Sequence, residues 1–423
     1  MTTTHPQSRL THLPMQDVAF PATFAADFIS ELAKAVEKDK EGHDSYHSWK
    51  VCIIACKIGE ALKLEKSRMK ELFFASLLHD IGGVMISGHI IESLVQVPDI
   101  FGQKNDFFVF AHSHRGETIL RSFPTFRKIS EIVGAHHEFF DGSGFPNGLK
   151  GEKIPLLSRI IRVADSIDIF SRLHKIDDTG ELILFLNMVS GEEFDPVIYN
   201  TFVKLAENGL LNRINTEDDI KNEMRSLKKQ MDDRYYFSST DTVNRFFKMV
   251  TMLTDNLTSP QDNHSMRVAE LSVQIAYLMG LDEEEILAIR WAAFLHDIGK
   301  ISGDRSIYLK KEKLSEEEWL SIRMHPQRSY DIINSISGMD KIAYYILHHH
   351  ENFDGSGYPE SLSTKMIPAG SRIMRVADAF DAMTTNRIYH RKKDWQRALS
   401  ELKKFSGTQF DPDIVDIFIN DIT

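Results

Sequence analysis

The hydrophobic pattern of this chain is helical in both halves. Apolar side chains recur at positions i, i+3, i+4 and i+7, which places them on one face of an amphipathic helix. Three such stripes begin at Ile29, Phe246 and Val268. Alternating strand patterns are scarce, and the Asp-Gly-Ser-Gly segments between regular stretches are typical of turns. The pattern therefore predicts an all-α fold.

The two halves of the chain carry the same motifs in the same order. SLLHDIGG in the first half corresponds to AFLHDIGK in the second, at an offset of 217 residues (79 to 296). HHEFFDGSGFP corresponds to HHENFDGSGYP at an offset of 213 (136 to 349), as SRIIRVADSID does to SRIMRVADAFD. EEFDP and TQFDP follow near the two ends. The chain is therefore predicted to be a duplication of one domain.

The join between the copies is predicted in the charge-rich segment NTEDDIKNEMRSLKKQMDDRYYF, which has no Pro or Gly. This composition favours an exposed connecting helix over a flexible linker. We therefore predict an N-terminal domain at residues 1–212, a helical linker at 213–235 and a C-terminal domain at 236–423.

Charge and composition narrow the classes of partner and location. The net charge of −11 argues against polymeric nucleic acid or an anionic membrane as the main partner. No apolar run reaches the ~20 residues that span a bilayer, and the N-terminus lacks the pattern of a secretion signal. Cys52 and Cys56 lie one helical turn apart, so we expect two buried thiols. A cytoplasmic location follows from these expectations.

Seven residues of metal-ligand type recur in order in the two copies. Adjacent residues on a helix point ~100° apart, so a His-Asp pair can bind one ion and also reach a second. A carboxylate can bridge two ions ~3.5–4 Å apart. Mixed imidazole and carboxylate donors suit iron, manganese, zinc or nickel better than calcium. In the second copy the predicted ligands are His264, His296, Asp297, His325, His349, His350 and Asp378.

Together, LHDIGK, the His325-Pro326 step, HHENFDGSGYP and RVADAFDAMTTNRIYH resemble the HD-GYP domain, a branch of the HD metal-dependent phosphohydrolases. The resemblance covers residues 240–423 and, more loosely, 24–205. It implies two tandem HD-type helical bundles, joined here by the predicted helical linker.

The resemblance also assigns roles to residues of the second copy. It implies that the seven residues above ligate the metals, with Asp297 as the bridging, catalytic carboxylate. Lys300 stands where the family places a lysine near the bridging water and phosphate, and we predict it to be catalytic. Tyr358 of the Gly-Tyr-Pro loop and Arg387 are the predicted substrate-binding residues. Arg387 lies in an Arg-Ile-Tyr sequence that lacks the family's usual proline.

The implied reaction is hydrolysis of a 3′,5′-linked cyclic dinucleotide, cyclic di-GMP or 3′,3′-cyclic GMP-AMP, to the linear dinucleotide or to mononucleotides. The implied cofactors are two divalent cations, iron or manganese before zinc, nickel or magnesium. A third cation is not expected in the second copy, because Pro260 occupies the extra-ligand position, although Asp262 is near.

The first copy keeps the ligands and loses the cations. Gly83 stands in the place of Lys300, His174 in that of Arg387 and Phe145 in that of Tyr358. We predict a degenerate domain that acts as an intramolecular regulator or structural element, with metal binding left open. Its candidate ligands are His47, His79, Asp80, His112, His136, His137 and Asp165, with His43 at the extra-ligand position.

Two other functions stay open at the sequence level. The wider HD superfamily includes nucleotidases and dNTP hydrolases, which can work with fewer metal ligands. HD-related domains that lack ligands serve as non-enzymatic signalling scaffolds. The additional histidines and the Gly-Tyr-Pro loop of the second copy favour the cyclic-dinucleotide reaction. A homodimer is compatible with the sequence.

Overall fold

Helices account for the architecture throughout the part of the chain that the structure describes. This computed structural model describes residues 20–38, 44–85, 106–189, 193–231, 236–258, 263–385 and 393–422. Within those ranges no β-strand forms, and an isolated bridge joins Ser406 to Phe410. The predicted all-α fold is confirmed.

Contacts between residues divide the chain into two units. The N-terminal unit is Ala22–Tyr236, and the C-terminal unit is Phe237–Thr423 together with the residues up to Pro21. Phe20 accordingly packs against Trp291 of the C-terminal unit, with ring centroids 5.5 Å apart.

The N-terminal unit contains helices α1 to α9. Helix α2 packs against α3 and α6, and α4 packs against α5 and the 3₁₀ turn Ile81–Met85. The bounds are α1 Phe24–Val36, α2 His47–Ala61, α3 Lys66–Leu78, α4 Asp106–Arg121, α5 Arg127–Gly134, α6 Leu156–His174, α7 Thr179–Val189, α8 Pro196–Glu207 and α9 Glu217–Gln230.

The C-terminal unit contains helices α10 to α19 and repeats this packing. Helix α11 packs against α12 and α17, and α15 packs against α16 and the 3₁₀ turn Ile298–Ser302. The bounds are α10 Thr240–Thr258, α11 His264–Leu278, α12 Glu283–Leu295, α13 Arg305–Leu309, α14 Glu316–Arg323, α15 His325–Asn334, α16 Asp340–Leu347, α17 Ala369–Thr384, α18 Trp395–Lys404 and α19 Pro412–Ile417.

The repeated Phe-Asp-Pro motif makes the same joint in each unit. Asp195 caps α8 and Asp411 caps α19, each accepting backbone N–H bonds at the helix start, with proline in the first turn. The same carboxylates pair with Arg159 of α6 and Arg372 of α17. In each unit, therefore, a single aspartate caps one helix and connects it by an ion pair to the helix that carries a candidate metal ligand.

The segment predicted as an exposed linker belongs to the N-terminal unit instead. Thr216 and Asp219 form a capping box at the start of α9. Ile220, Met224 and Leu227 are buried, and α9 packs against α2. These three residues form an i, i+4, i+7 stripe that the surrounding charges obscured in the sequence.

Two further expectations concern membrane-spanning segments and the two cysteines. No helix among the described residues has the length and apolar character needed to cross a membrane. Cys52 and Cys56 are buried free thiols on α2.

Candidate metal centres

The seven predicted ligands of the C-terminal unit come from five helices. His264 begins α11, His296 and Asp297 follow α12, His325 begins α15, His349 and His350 follow α16, and Asp378 lies within α17. Their donor atoms converge in overlapping groups within 4.8 Å of one another. These groups are His325 with His349 and His350, His264 with His296 and Asp378, and His296 with Asp297 and His349.

Asp297 lies between the two sets of histidines. Its Oδ1 is 3.3 Å from Nε2 of His325, whereas its Oδ2 is 3.4 Å from Nε2 of His296. A carboxylate whose two oxygens face different imidazoles has the geometry of a bridging ligand. The position of Asp297 therefore fits the bridging role that the resemblance implies.

The imidazole rings are held so that Nε2 faces the centre. Nδ1 of His296, His325 and His349 lies 2.6–2.8 Å from the carbonyl oxygen three residues earlier in the chain. Such a bond fixes the neutral tautomer with the proton on Nδ1 and leaves the Nε2 lone pair for a cation.

His264 is oriented differently, by a carboxylate. Its Nδ1 lies 2.6 Å from Oδ2 of Asp381, which also accepts bonds from Arg267, while its Nε2 lies 3.2 Å from Asp378. A carboxylate behind a ligating histidine raises its basicity. The role of Asp381 was not predicted from the sequence, although VADSID and VADAFD place an aspartate three residues after the ligand in both copies.

A glycine permits the close approach of the helices at each centre. A Cβ atom built at Gly299 would lie 2.5 Å from the carbonyl oxygen of His325, and one at Gly82 would lie 2.0 Å from that of His112. Such distances leave no room for a side chain. The glycine of HDIG therefore lets the turn after the His-Asp pair lie directly against the next ligand.

Burial and neighbouring charges favour the protonation states that bind cations. Although burial favours its neutral form, His296 and Lys300 hold the pKa of Asp297 well below its usual range. Burial lowers the pKa of His325 to about 4 and, with neighbouring imidazoles, holds the pKa of His349 and His350 well below 6.5. At neutral pH these histidines are neutral and the carboxylate is charged, as metal binding requires.

Two of the other predicted residues lie at this centre. The Lys300 ammonium donates to Oδ2 of Asp297 at 2.5 Å. The Tyr358 ring lies 5.1 Å from the His350 ring. Arg387 falls outside the described residues, as do Pro260, Asp262 and His43.

The Gly-Tyr-Pro loop is anchored by the third residue of the HHE motif. Buried Glu351 accepts a 2.7 Å bond from the backbone N–H of Glu360, just after the loop. In the N-terminal unit Glu138 accepts bonds from the N–H groups of Asn147 and Leu149. This anchoring role was not predicted, although HHE occurs in both copies.

The N-terminal unit assembles its own ligands in the same manner. Donor atoms of His112, His136 and His137 converge in one group, and those of His47, His79 and Asp80 converge in another. Asp80 lies between them, with Oδ1 3.3 Å from Nε2 of His112 and Oδ2 3.5 Å from Nε2 of His79. Asp168 orients His47 at 2.8 Å, as Asp381 orients His264.

Four buried atoms of this group have no hydrogen-bond partner. They are Nε2 of His47, Nε2 of His79, Oδ2 of Asp80 and Oδ1 of Asp165, which approach one another within 3.2–3.8 Å. An unsatisfied buried polar atom costs about 1–3 kcal/mol. Two imidazole nitrogens and two carboxylate oxygens that converge without partners are ligands that a divalent cation could take. The residues of the N-terminal unit therefore fit a bound metal ion.

The N-terminal unit lacks counterparts of Lys300, Tyr358 and Arg387. Its residues at these places bring no ammonium, phenol or guanidinium group to the centre. Gly83 lies in the 3₁₀ turn after Asp80. Phe145 stacks on His137 with ring centroids 4.9 Å apart. His174 ends α6 and contacts the Phe185 ring at 4.6 Å.

Comparisons with known proteins agree with this geometry. A family profile described as the HD domain matches residues 31–180 and 248–414. The 3′3′-cGAMP-specific phosphodiesterase 3 of Vibrio cholerae is 28% identical over 88% of this chain and 89% of that protein. A cyclic di-GMP phosphodiesterase of Thermotoga maritima is 33% identical over 46% of this chain and 55% of its own length.

A solved structure that resembles nearly the whole chain comes from the same class of enzyme as these phosphodiesterases. A crystal structure of a cyclic GMP-AMP-specific phosphodiesterase from Vibrio cholerae matches with a TM-score of 0.62 at 23% identity. The match covers 93% of this chain and 96% of that one. At this identity the likeness supports the fold.

Proposed function

This chain belongs to the HD domain family, and from that membership we propose that its C-terminal unit hydrolyses a phosphodiester bond of a cyclic dinucleotide. The two similar enzymes named above act, by their names, on 3′3′-cGAMP and on cyclic di-GMP. The observation that carries the proposal is the placement of Asp297 between two histidine groups with Lys300 bonded to it.

HD domains are metal-dependent, and we propose two divalent cations, iron or manganese, for the C-terminal unit. His325, His349 and His350 would hold one, and His264, His296 and Asp378 would hold the other, with Asp297 shared. When bound, the cations make hydroxide available at neutral pH and neutralise charge on the phosphate. Zinc, nickel and magnesium are the alternatives.

The protein side chains would position and polarise the substrate. Lys300 brings an ammonium to the shared carboxylate, where the phosphate to be cleaved would lie, and its fixed charge would stabilise charge that develops on the phosphate oxygens. Asp381 keeps His264 in the tautomer that can ligate. Tyr358 would contact the substrate beside His350, and Arg387 keeps the role that the resemblance implies.

For the N-terminal unit we propose a metal-binding domain without catalytic activity of its own, which regulates or stabilises the chain. Its four orphan ligand atoms support metal binding. The glycine at position 83 and the phenylalanine at position 145 leave it without the cation and hydroxyl of the C-terminal unit. A scaffold role for this unit is compatible with the same observations.

A substrate comparison tests the proposal. The full chain, loaded with manganese or iron, would be incubated with cyclic di-GMP, 3′,3′-cyclic GMP-AMP and a panel of dNTPs and nucleoside monophosphates, and the products separated by chromatography. We expect turnover of at least one cyclic dinucleotide and loss of turnover after chelation. Hydrolysis of the dNTPs or monophosphates alone would favour the nucleotidase alternative and overturn the proposal.

A further inference from the structure

Two arginines that the sequence did not single out flank Tyr358. Arg323, the last residue of α14, places its guanidinium 4.3 Å from the centre of the Tyr358 ring. On α17, Arg375 donates from Nη2 and Nε to Oδ1 of Asn352, at 3.0 and 3.3 Å. The Tyr358 ring lies against His350, and the charge of Arg375 is near enough to add to the burial that lowers the pKa of His350, so both arginines lie on the same side of the C-terminal centre.

Neither guanidinium forms a close ion pair with a carboxylate of the described residues, although the charge of Asp378, one turn later on α17, acts on Arg375 from a longer distance. Among the described residues no acidic group lies within 4.0 Å of Arg323 or Arg375, whereas Arg372, one turn earlier on α17, pairs with Asp411. Both side chains are partly exposed, so each guanidinium is accessible to a ligand from solution. Two such groups at one site favour binding of an anion.

The N-terminal unit balances the same arginine. Arg162, the counterpart of Arg375, donates to the Glu193 carboxylate through Nε and Nη2, and its Nη1 lies 2.9 Å from Nδ1 of His137. Glu193 lies where the C-terminal unit has Gln409: the carbonyl of Glu193 accepts from Phe140, and that of Gln409 accepts from Phe353. In the C-terminal unit the same two nitrogens of Arg375 donate to the neutral amide of Asn352 instead, so the charge of this arginine is not paired with a carboxylate there.

The counterpart of Arg323 also differs in charge. At the offset of 213 residues that relates the neighbouring histidines, position 323 corresponds to Phe110. The N-terminal unit thus has one arginine neutralised and the other absent. In the part of the chain that the structure describes, only the C-terminal unit therefore has two arginines, Arg323 and Arg375, that lack a close carboxylate at this place.

We propose that Arg323 and Arg375 bind the second phosphodiester of the cyclic dinucleotide, the one that is not cleaved, beside the Tyr358 ring. This inference rests on the proposed function. Lys300 contacts Oδ2 of Asp297, the oxygen that faces His296, whereas Tyr358 lies at His350 in the other ligand group. The two phosphates of one ring-shaped substrate would therefore meet separate sets of cations. Guanidinium groups suit a phosphate because they donate paired N–H bonds.

If the two arginines bind a second phosphate, substituting them should weaken binding of a substrate that has two phosphates and should not affect a substrate that has one. The test compares the better cyclic dinucleotide with bis(p-nitrophenyl) phosphate, which has a single phosphodiester. Arg323→Ala removes one cation, Arg375→Gln removes the other, and Gln409→Glu places beside Arg375 the carboxylate of the N-terminal unit. Arg245→Ala removes an exposed arginine of α10 as a charge-matched control.

We expect each site variant to raise KM for the cyclic dinucleotide about tenfold or more, equivalent to about 1.4 kcal/mol, because each removes or neutralises a charged hydrogen-bond donor. The kcat should change much less, and the kinetics with bis(p-nitrophenyl) phosphate should stay within about twofold of the parent, with metal content and melting temperature retained. Equal losses with both substrates, or an unchanged KM for the cyclic dinucleotide, would overturn the inference.

The two proposals fail in different ways. If the parent protein cleaves bis(p-nitrophenyl) phosphate but neither cyclic dinucleotide, the proposed function fails and this inference fails with it. If the parent cleaves a cyclic dinucleotide and the arginine variants keep its KM, only the role of the arginines is wrong.

Discussion

The N-terminal and C-terminal units share seven ligand positions and differ in the charges around them. Each has an aspartate whose two oxygens face different histidine groups, Asp80 in one and Asp297 in the other. The C-terminal unit adds Lys300 and leaves Arg375 without a carboxylate, whereas the N-terminal unit has Gly83 and pairs Arg162 with Glu193. The fold can therefore keep the convergent histidines and aspartates while the surrounding positive charges change.

The same contrast appears in how buried polar atoms are satisfied. In the N-terminal unit Oδ2 of Asp80 has no hydrogen-bond partner, while its counterpart on Asp297 accepts from Lys300. Lys300 neutralises part of the negative charge of Asp297, whereas in the N-terminal unit a bound cation would have to neutralise the charge of Asp80. The N-terminal unit should consequently depend on metal more for stability, and the C-terminal unit more for chemistry.

The largest expected effect comes from removing the shared carboxylate in one unit at a time. Asp297→Asn should lower kcat/KM for the cyclic dinucleotide by at least about 10³-fold, because the cations supply several kcal/mol of transition-state stabilisation. Asp80→Asn should leave catalysis within about tenfold and lower the metal content of the chain. Steady-state kinetics and elemental analysis of both variants measure the two effects.

An equal loss of catalysis from the two substitutions, in proteins with unchanged melting temperatures, would contradict the division of roles. The N-terminal unit would then take part in the reaction directly. His79→Ala provides an independent control, since it removes a ligand without altering the bridging group.

The second effect is acid sensitivity of the metal-free chain, to which both units contribute. Burial lowers the pKa of His136 to about 3 and that of His325 to about 4. A histidine whose folded-state pKa lies below 6.5 binds protons more readily when unfolded, so stability falls as pH falls from about 6.5 towards 4. Each should contribute on the order of 1–3 kcal/mol, seen as a declining urea midpoint.

Neighbouring groups do not reverse this sign. Although burial opposes them, the nearby carboxylates of Asp165 and Asp168 raise the pKa of His47 well above 6.5, so its stabilising contribution is already complete below pH 6.5. Asp297, with a pKa well below its usual range, loses its contribution only at lower pH. His136→Gln and His325→Gln should each flatten the decline, and a midpoint that is constant between pH 7 and pH 5 would refute the prediction.

A smaller effect is expected from the carboxylates behind the first histidines. Asp381→Asn removes the charge that orients His264 and should lower activity or metal affinity about 10–100-fold. The matched change Asp168→Asn should lower metal affinity in the N-terminal unit with little effect on kcat. Metal titration and kinetics on the two variants separate these outcomes, and a loss of activity from Asp168→Asn as large as that from Asp381→Asn would count against them.

The convergence of the candidate ligands could be predicted from the sequence because these residues occur in short motifs that recur in order. A His-Asp pair at a helix end, or adjacent histidines, already defines which side chains converge. Asp381 was missed because its role depends on α17 facing α11, yet its spacing of three residues from Asp378 places it on the same helix face. That spacing, present in both copies, was sufficient to find it.

Other features depend on tertiary contacts that no local pattern contains. The importance of Glu193 and Gln409 appears only when the turn that holds them is seen to bond to the segment after HHE. Helix α9 was predicted to be exposed because charged residues dominate its composition, although its Ile220, Met224 and Leu227 stripe was readable. The average polarity of this helix therefore predicted that it is exposed, whereas the spacing of its apolar residues would have predicted one buried face.

The smallest effect should come from Tyr358→Phe, which gives the C-terminal unit the Gly-Phe-Pro sequence of its counterpart. Phe145 stacks on His137 much as Tyr358 lies against His350, so the ring packing does not require the hydroxyl. The cation–π contact with Arg323 also needs only the ring. We therefore expect KM for the cyclic dinucleotide to rise by about threefold or less, equivalent to roughly 0.5 kcal/mol. Tyr358→Ala, which removes the ring that Arg323 contacts, should raise KM considerably more. Kinetics that rank Tyr358→Phe as severe as Tyr358→Ala would show that the hydroxyl is essential, and the loss of tyrosine would then explain the inactivity proposed for the N-terminal unit better than the loss of its cations does.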